Sequence, residues 1–263
     1  MPTSALQVAR TGLEAQDARM RVIANNLANV GTTGFKKDRA NFATLAYQDA
    51  RVAGQRSSGE TAYATGLNLG TGVTVQSTSQ IVSQGALNTT NNALDLALDG
   101  EGYFQVELPG GELGYTRAGN FTRSAEGQLV TQQGYIVQPA ITIPEGATSI
   151  AVSPDGIVTA VVPGDAEPAE LGQLQVAAFA NPGGLRAIGD NFLVETAASG
   201  AVQLAPGGEM GRGNIRQGML EASNVNIVEE LVDMIECQRA YEINSKSIQA
   251  ADEMLQIANN LRR

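Results

Sequence analysis

NIVEELVDMIECQRAYEINSKSIQAADEMLQIANNLRR, residues Asn226 to Arg263, contains neither glycine nor proline. Within it Ile227, Met234, Tyr241, Ile248 and Leu255 recur every seven residues, the spacing that keeps one helix face turned toward a partner helix. Val228, Leu231 and Ile235 widen this apolar stripe early, and Ile243, Ala250, Met254, Ile257 and Leu261 widen it late. Asn226 and Glu229 stand at capping-box spacing, with asparagine as the cap. The stretch therefore reads as one helix, far longer than the average of about 11 to 12 residues.

The other end of the chain mirrors it. Leu6, Leu13, Met20 and Leu27 recur every seven residues, with Ala9, Gln16, Ile23 and Val30 as a companion row. Ser4 with Gln7 fits a capping box, and Gly31 is a natural stop. Both ends carry the pentapeptide IANNL, at Ile23 to Leu27 and at Ile257 to Leu261. Asn25 and Asn29 share a helix face, with Asn26 beside them. A carboxamide both donates and accepts, so an asparagine row of this kind is expected to impose register on a helical assembly.

Between the helices the pattern changes. From Gly72 to Leu220 short alternating or apolar runs follow one another, among them LDLAL, YFQVEL, YIVQPAITI, IVTAVV and FLVE. Turn signals such as Pro109 to Gly111, Asp155-Gly156 and Asn181 to Gly184 separate them. That grammar predicts an all-β sandwich or barrel. Asp49 to Gly70 is rich in Gly, Ser and Thr without periodicity, and reads as a long extended connector. The expected fold class is α+β, with the N- and C-terminal long helices paired in a coiled-coil-like layer and a central all-β domain. Its expected segments are a helix and turn over 1–48, a connector over 49–71, a β domain over 72–222 and a helix over 223–263.

Composition excludes much chemistry. The net charge of −10 argues against nucleic acid and against an anionic membrane surface. No stretch reaches the roughly 18 apolar residues of a membrane helix, and MPTSALQVARTGLEAQ lacks the basic and apolar regions of a signal peptide. There is no histidine, and the single cysteine, Cys237, allows neither an intrachain disulfide nor a cysteine cluster; its expected role is simple packing. GTG at Gly70 to Gly72 and GRG at Gly211 to Gly213 lack the third glycine of a dinucleotide loop. Asp95, Asp99 and Gly100 do not complete a calcium loop. Asp99, Glu101 and Glu107 are the candidates for a catalytic carboxylate pair, but spacing alone gives them no separation in space. No catalytic residue, cofactor or metal site is expected.

The charge is also unevenly placed. Residues 1–35 carry +1 and residues 224–263 carry −3, which leaves −8 in the middle. The termini are thus low-charge surfaces suited to packing. A pair of stripes buries only what faces the partner, so the surplus apolar surface calls for helices from other copies. The termini are expected to be mobile in a monomer and to order on assembly.

Three separated stretches carry a resemblance. ANNLANVGTTGFKKDRANF (Ala24 to Phe42), GTGVTVQSTSQIVSQGALNTTNNALDLALDGEGYFQV (Gly70 to Val106) and EASNVNIVEELVDMIECQRAYEINSKSIQAADEML (Glu221 to Leu255) resemble the bacterial flagellar rod and hook axial proteins. YTRAGNF at Tyr115 to Phe121 and ETAASG at Glu195 to Gly200 extend the likeness nearly end to end. The length and EELVDMIECQRAYEINSK point within that family to the distal part of the rod; a proximal rod or hook subunit is the alternative.

The resemblance implies a subunit that stacks helically into a tubular driveshaft across the periplasm, with terminal helices inside and β domains outside. It implies export as an unfolded chain by the flagellar type III apparatus, without a cleaved signal peptide. The implied partners are copies of the chain itself, the proximal rod, the hook and the surrounding rings, and the connector is implied to pack between neighbouring copies. The assembly seam would comprise Leu6, Leu13, Met20, Ile23, Leu27, Ile227, Leu231, Met234, Tyr241, Ile248 and Leu255. The family motif and register residues would be Asn25, Asn26, Asn29, Gly34 and Phe35. A different class, an adhesin or fibre module with a helical stalk and β head, would form a closed oligomer instead of an open helix.

Overall fold

The structure, a computed structural model, describes residues 2–56, 63–163 and 168–260, with side chains at all of these except 2–5, 255, 258 and 259. Two long helices, α1 (Pro2–Ala28) and α2 (Ile227–Asn260), bracket a β-rich middle, so the α+β class holds. Asn226 caps α2 as its sequence requires: its Oδ1 accepts from Val228 N at 3.1 Å and its carbonyl from Glu230 N at 3.0 Å. Ser4 is not a cap. The first helix already runs at Pro2, where a proline costs nothing because its missing N–H has no partner in the first turn.

The chain forms two compact units. One contains residues 1–27, 38–79 and 226–263, and the other residues 28–37 and 80–225. The turn after α1 counts with the β unit, and residues 38–79 count with the helices.

The described residues between Asp38 and Ser79, which belong to the helical unit, make a β-ribbon. Strand β1 (Asp38–Thr44) pairs with β4 (Val73–Gln80), and β2 (Gln48–Arg51) pairs with β3 (Leu67–Leu69). A bond from Leu45 N to Gly72 O links the two sections, and bonds between Gly54, Gln55 and Tyr63 continue the pairing outward. The Arg51 guanidinium stacks 4.0 Å from the centre of the Tyr63 ring. Within the expected connector, residues 49–51 and 67–69 are paired strand. Its glycines and small polar residues conceal this, because a ribbon exposed on both faces needs no apolar alternation.

The β unit is built on antiparallel pairs between its named strands. Its largest sheet has seven strands and is centred on residues 103–107, 113–116, 176–178 and 192–194. Both faces of that centre are buried, which explains why YFQVEL reads as an apolar run. Phe104 and Val106 face a cluster with Leu98, Phe121, Val176 and Ile215, and Phe104 meets Phe121 edge-to-face at 5.2 Å. Tyr103 lies on the opposite face with Tyr115, Phe179 and Leu193, and Tyr115 meets Phe179 edge-to-face at 4.8 Å. Residues 149–152, 157–161 and 169–173 form a separate three-stranded sheet. The observed layout is thus one large sheet with small satellites, not the two matched layers of a sandwich.

The turn after α1 closes onto the β unit at Gly34. Its φ is +69°, and a Cβ there would lie 2.6 Å from the Arg117 carbonyl carbon. Gly34→Ala is therefore expected to destabilise the protein by more than the about 1–2 kcal/mol of the left-handed conformation alone. Urea denaturation monitored by tyrosine fluorescence checks this.

Candidate assembly surface

The two helices touch along rows of small and polar residues. A Cβ on Gly12 would lie 3.2 Å from Asn244 Nδ2. Cys237 Sγ donates to Gln16 O at 3.1 Å, Arg19 Nη2 pairs with Asp233 Oδ1 at 2.9 Å, and Asn26 Nδ2 donates to Glu230 Oε2 at 3.3 Å. These contacts run in opposite directions along the two chains, so the helices are antiparallel.

The α2 row involved is Glu230, Cys237 and Asn244, spaced by seven residues, and Ala251 continues it as a buried residue. It lies three positions on from the apolar heptad row. Gly12 and these hydrogen-bonded side chains let the helices meet there, while Ile227 and Tyr241 of the bulky row stay exposed.

Each expected seam residue can be placed accordingly. Ile23 is buried, and Leu6, Leu13, Met20, Leu27, Met234 and Ile248 are half-buried. Ile227, Leu231 and Tyr241 are exposed, so within the chain they do not form a seam with α1. The Leu255 side chain lies outside the described residues. The result is an exposed apolar stripe on the first half of α2: Ile227, Val228, Leu231, Val232 and Ile235, with Val228 as much as 69% exposed. The two IANNL copies also differ in setting, for Ile23 is 4% and Ile257 59% exposed.

The asparagines part company as well. Asn26 is buried and fully engaged: Nδ2 donates to Asp38 O at 2.9 Å and Oδ1 accepts from Asp38 N at 2.9 Å. It fastens the end of α1 to the start of the ribbon and to α2. Asn25 is exposed, and Asn29 Oδ1 accepts from Thr32 Oγ1 at 3.1 Å in the turn. Gly34 is buried and Phe35 half-buried.

Beside the first turns of α1 the ribbon root makes a close approach. Gly72 has φ +121°, and a Cβ there would fall 2.1 Å from Thr11 Oγ1. An open groove of about 680 Å³ follows, lined by Val8, Gly12, Leu69, Thr71, Asn244 and Ser247 among others.

The candidate carboxylates are occupied otherwise. Asp99 pairs with Arg216 at 3.0 Å, Glu107 accepts from Gln138 at 2.7 Å and Asp95 from Asn92 at 2.9 Å. Among the described residues no group of three or more metal-ligating side chains occurs, and no helix is long and apolar enough to cross a membrane.

Burial pushes the Cys237 thiol above its ordinary pKa, so little thiolate forms at neutral pH. Maleimide labelling of Cys237 at pH 7 is expected to be at least about tenfold slower in the folded chain than in urea, with a rate that tracks opening of the helix pair.

Comparison with known proteins gives the same family at three places along the chain. Residues 6–36 match the model described as flagella basal body rod protein. Residues 97–160 match flagellar hook protein FlgE/F/G D1 domain, and residues 216–261 match flagellar basal body rod FlgEFG protein C-terminal. The flagellar basal-body rod protein FlgG of Caulobacter vibrioides is 49% identical over 98% of this chain and 99% of its own length. The protein of that name from Borreliella burgdorferi is 47% identical over 98% of both chains. That from Bacillus subtilis is 38% identical over 96% of this chain and 97% of its own. The family is structural and not enzymatic. With near-complete coverage on both sides, the chain belongs to the FlgG family of flagellar basal-body rod proteins.

Proposed function

We propose that this chain is the subunit of the distal rod, which polymerises helically into the tubular shaft carrying torque from motor to hook. The single observation that carries this reading is the exposed apolar stripe on α2. A folded chain that uses small and polar residues to join its own helices, and leaves Ile227, Val228, Leu231, Val232 and Ile235 exposed, has reserved that face for other copies. Copies repeating one contact without closing build a helix. In the assembled tube the helices would form a coiled-coil-like inner layer made largely between subunits.

The four segments then acquire roles. Residues 1–48 and 223–263 supply the inner layer, 49–71 reach neighbouring subunits as the outer part of the ribbon, and 72–222 form the outer domain. A two-stranded ribbon is marginal alone in water, which supports its resting on a neighbour. Export as an unfolded chain through the flagellar apparatus, a position spanning the periplasm, and contacts with proximal rod, hook and rings belong to the same reading. Asn25, exposed on α1, belongs with Asn26 and Asn29 to the asparagine group that this reading has set register between subunits.

Electron microscopy of basal bodies from a strain lacking this gene tests the assignment. Truncated rods without hooks, restored to full length by re-expression, are expected; intact rods and hooks would exclude it. Leu13→Asp and Ile248→Asp are each expected to abolish rod assembly while leaving the β unit folded, because a charge in a dry seam costs several kcal/mol unless paired. Motility assays and tyrosine fluorescence of the purified chains check the two halves of that statement. Amide exchange on dilute monomer is expected to be fast in α1 and α2 and slow at Phe104 and Val176.

A further inference from the structure

The chain passes between its two compact units at four points, and the residues flanking those points in the β unit are tied to one another. Residues 33–37 follow α1, 81–86 follow the ribbon and 221–224 precede α2. Gly34 N donates to Glu221 O at 2.8 Å, Lys37 N to Asn224 Oδ1 at 2.7 Å and Ile81 N to Lys37 O at 2.8 Å. Asn224 Nδ2 donates to Ile81 O at 2.8 Å, and Ala222 N to Ala86 O at 2.8 Å. The Glu221 carboxylate accepts from Gly85 N at 2.9 Å and pairs with Lys36 and with Arg117 Nη1, the latter at 3.3 Å. Lys36 Nζ also donates to Ser83 O at 2.8 Å. Lys36 and Glu221 are 2% and 1% exposed.

We propose that residues 33–37, 81–86 and 221–224 form a mechanical clasp that shields the β core from force applied along the chain ends. The connectivity supplies the argument. Force entering through α1 reaches residues 33–37 first, and force entering through α2 reaches 221–224 first. Those two segments are bonded directly to each other, so tension passes across the clasp and the strands between 86 and 220 carry none of it until the clasp opens. Glu221 and Asn224 are the tying residues, since each reaches both of the other segments. Many parallel short bonds loaded together resist far more than the same bonds loaded in turn. The claim concerns the single chain and goes beyond the rod reading, which can fail without affecting it.

The test is to pull the full-length chain by peptide tags at its two ends in optical tweezers. After the helices yield, one event is expected to release residues 33–80, roughly 160 Å of chain, before a separate, higher-force event opens the β core. Glu221→Gln keeps the side-chain shape but leaves Lys36 and Arg117 buried without their carboxylate. It is expected to speed the first event by about a hundredfold or more and to leave the second unchanged. If that variant does not fold, Asn224→Ala, which removes only the side-chain ties, takes its place with the same expectation. A single event in which clasp and core open together would overturn the proposal. So would a first event unaffected by the substitution, or an equal loss of force in both events.

Discussion

The Glu221 carboxylate is buried with two cations, and everything around it is arranged so that this charge is tolerable. Breaking such a pair costs about 3–5 kcal/mol because the partner is left charged and unsolvated. The surroundings must therefore hold Lys36, Arg117 and the Gly85 amide in place together. Burial lowers the Lys36 pKa, with the Glu221 hydrogen bond opposing that shift. A lysine whose folded pKa is lowered binds fewer protons folded than unfolded, so this group favours folding more as pH rises through the lowered value. The arrangement also dictates backbone geometry. Lys36 reaches the carboxylate only if the preceding turn presses its Gly34 against the Arg117 backbone, where no side chain fits.

A second constraint acts in the helical unit. Glu230, Cys237 and Asn244 are poor core residues by size and polarity, yet each has a neighbour that answers it: Asn26, Gln16 and Gly12 respectively. Satisfying those groups inside the chain fixes which face of α2 turns inward. The faces left outward are then the ones rich in Ile, Leu and Val. On the proposed rod reading, the apolar side chains left exposed on α2 are the ones that contacts between copies would bury.

The stretches that carry the family likeness meet in the folded chain. Lys36 comes from the first, Ser83 and Gly85 from the second, Glu221 and Asn224 from the third, and Arg117 from YTRAGNF. Their separation in sequence hides a common purpose. Lys36 and Glu221 look like ordinary surface charges in a linear reading, and nothing in their spacing marks them as partners 185 positions apart. Asn26 was legible as a special residue from its IANNL setting. Its use within the chain was not, since the partners that absorb it, Asp38 and Glu230, come from the first strand of the ribbon and from the far helix.

The sequence by itself determined the elements. A heptad pattern free of glycine and proline reads as a long helix, alternating runs cut by turn residues read as strands, and a chain without histidine and with one cysteine lacks the commonest general base and any cysteine cluster. These properties are local or compositional, so they can be read one segment at a time. Tertiary structure decided which helix row turns inward, that the strands of residues 48–51 and 67–69 pair as a ribbon, and that Lys36, Arg117 and Glu221, three distant charged residues, share one buried site. Those outcomes depend on which side chain finds a partner across the fold. Heptad spacing gives the period of a helix face, but only the polar groups that must be satisfied on one side decide which face is buried.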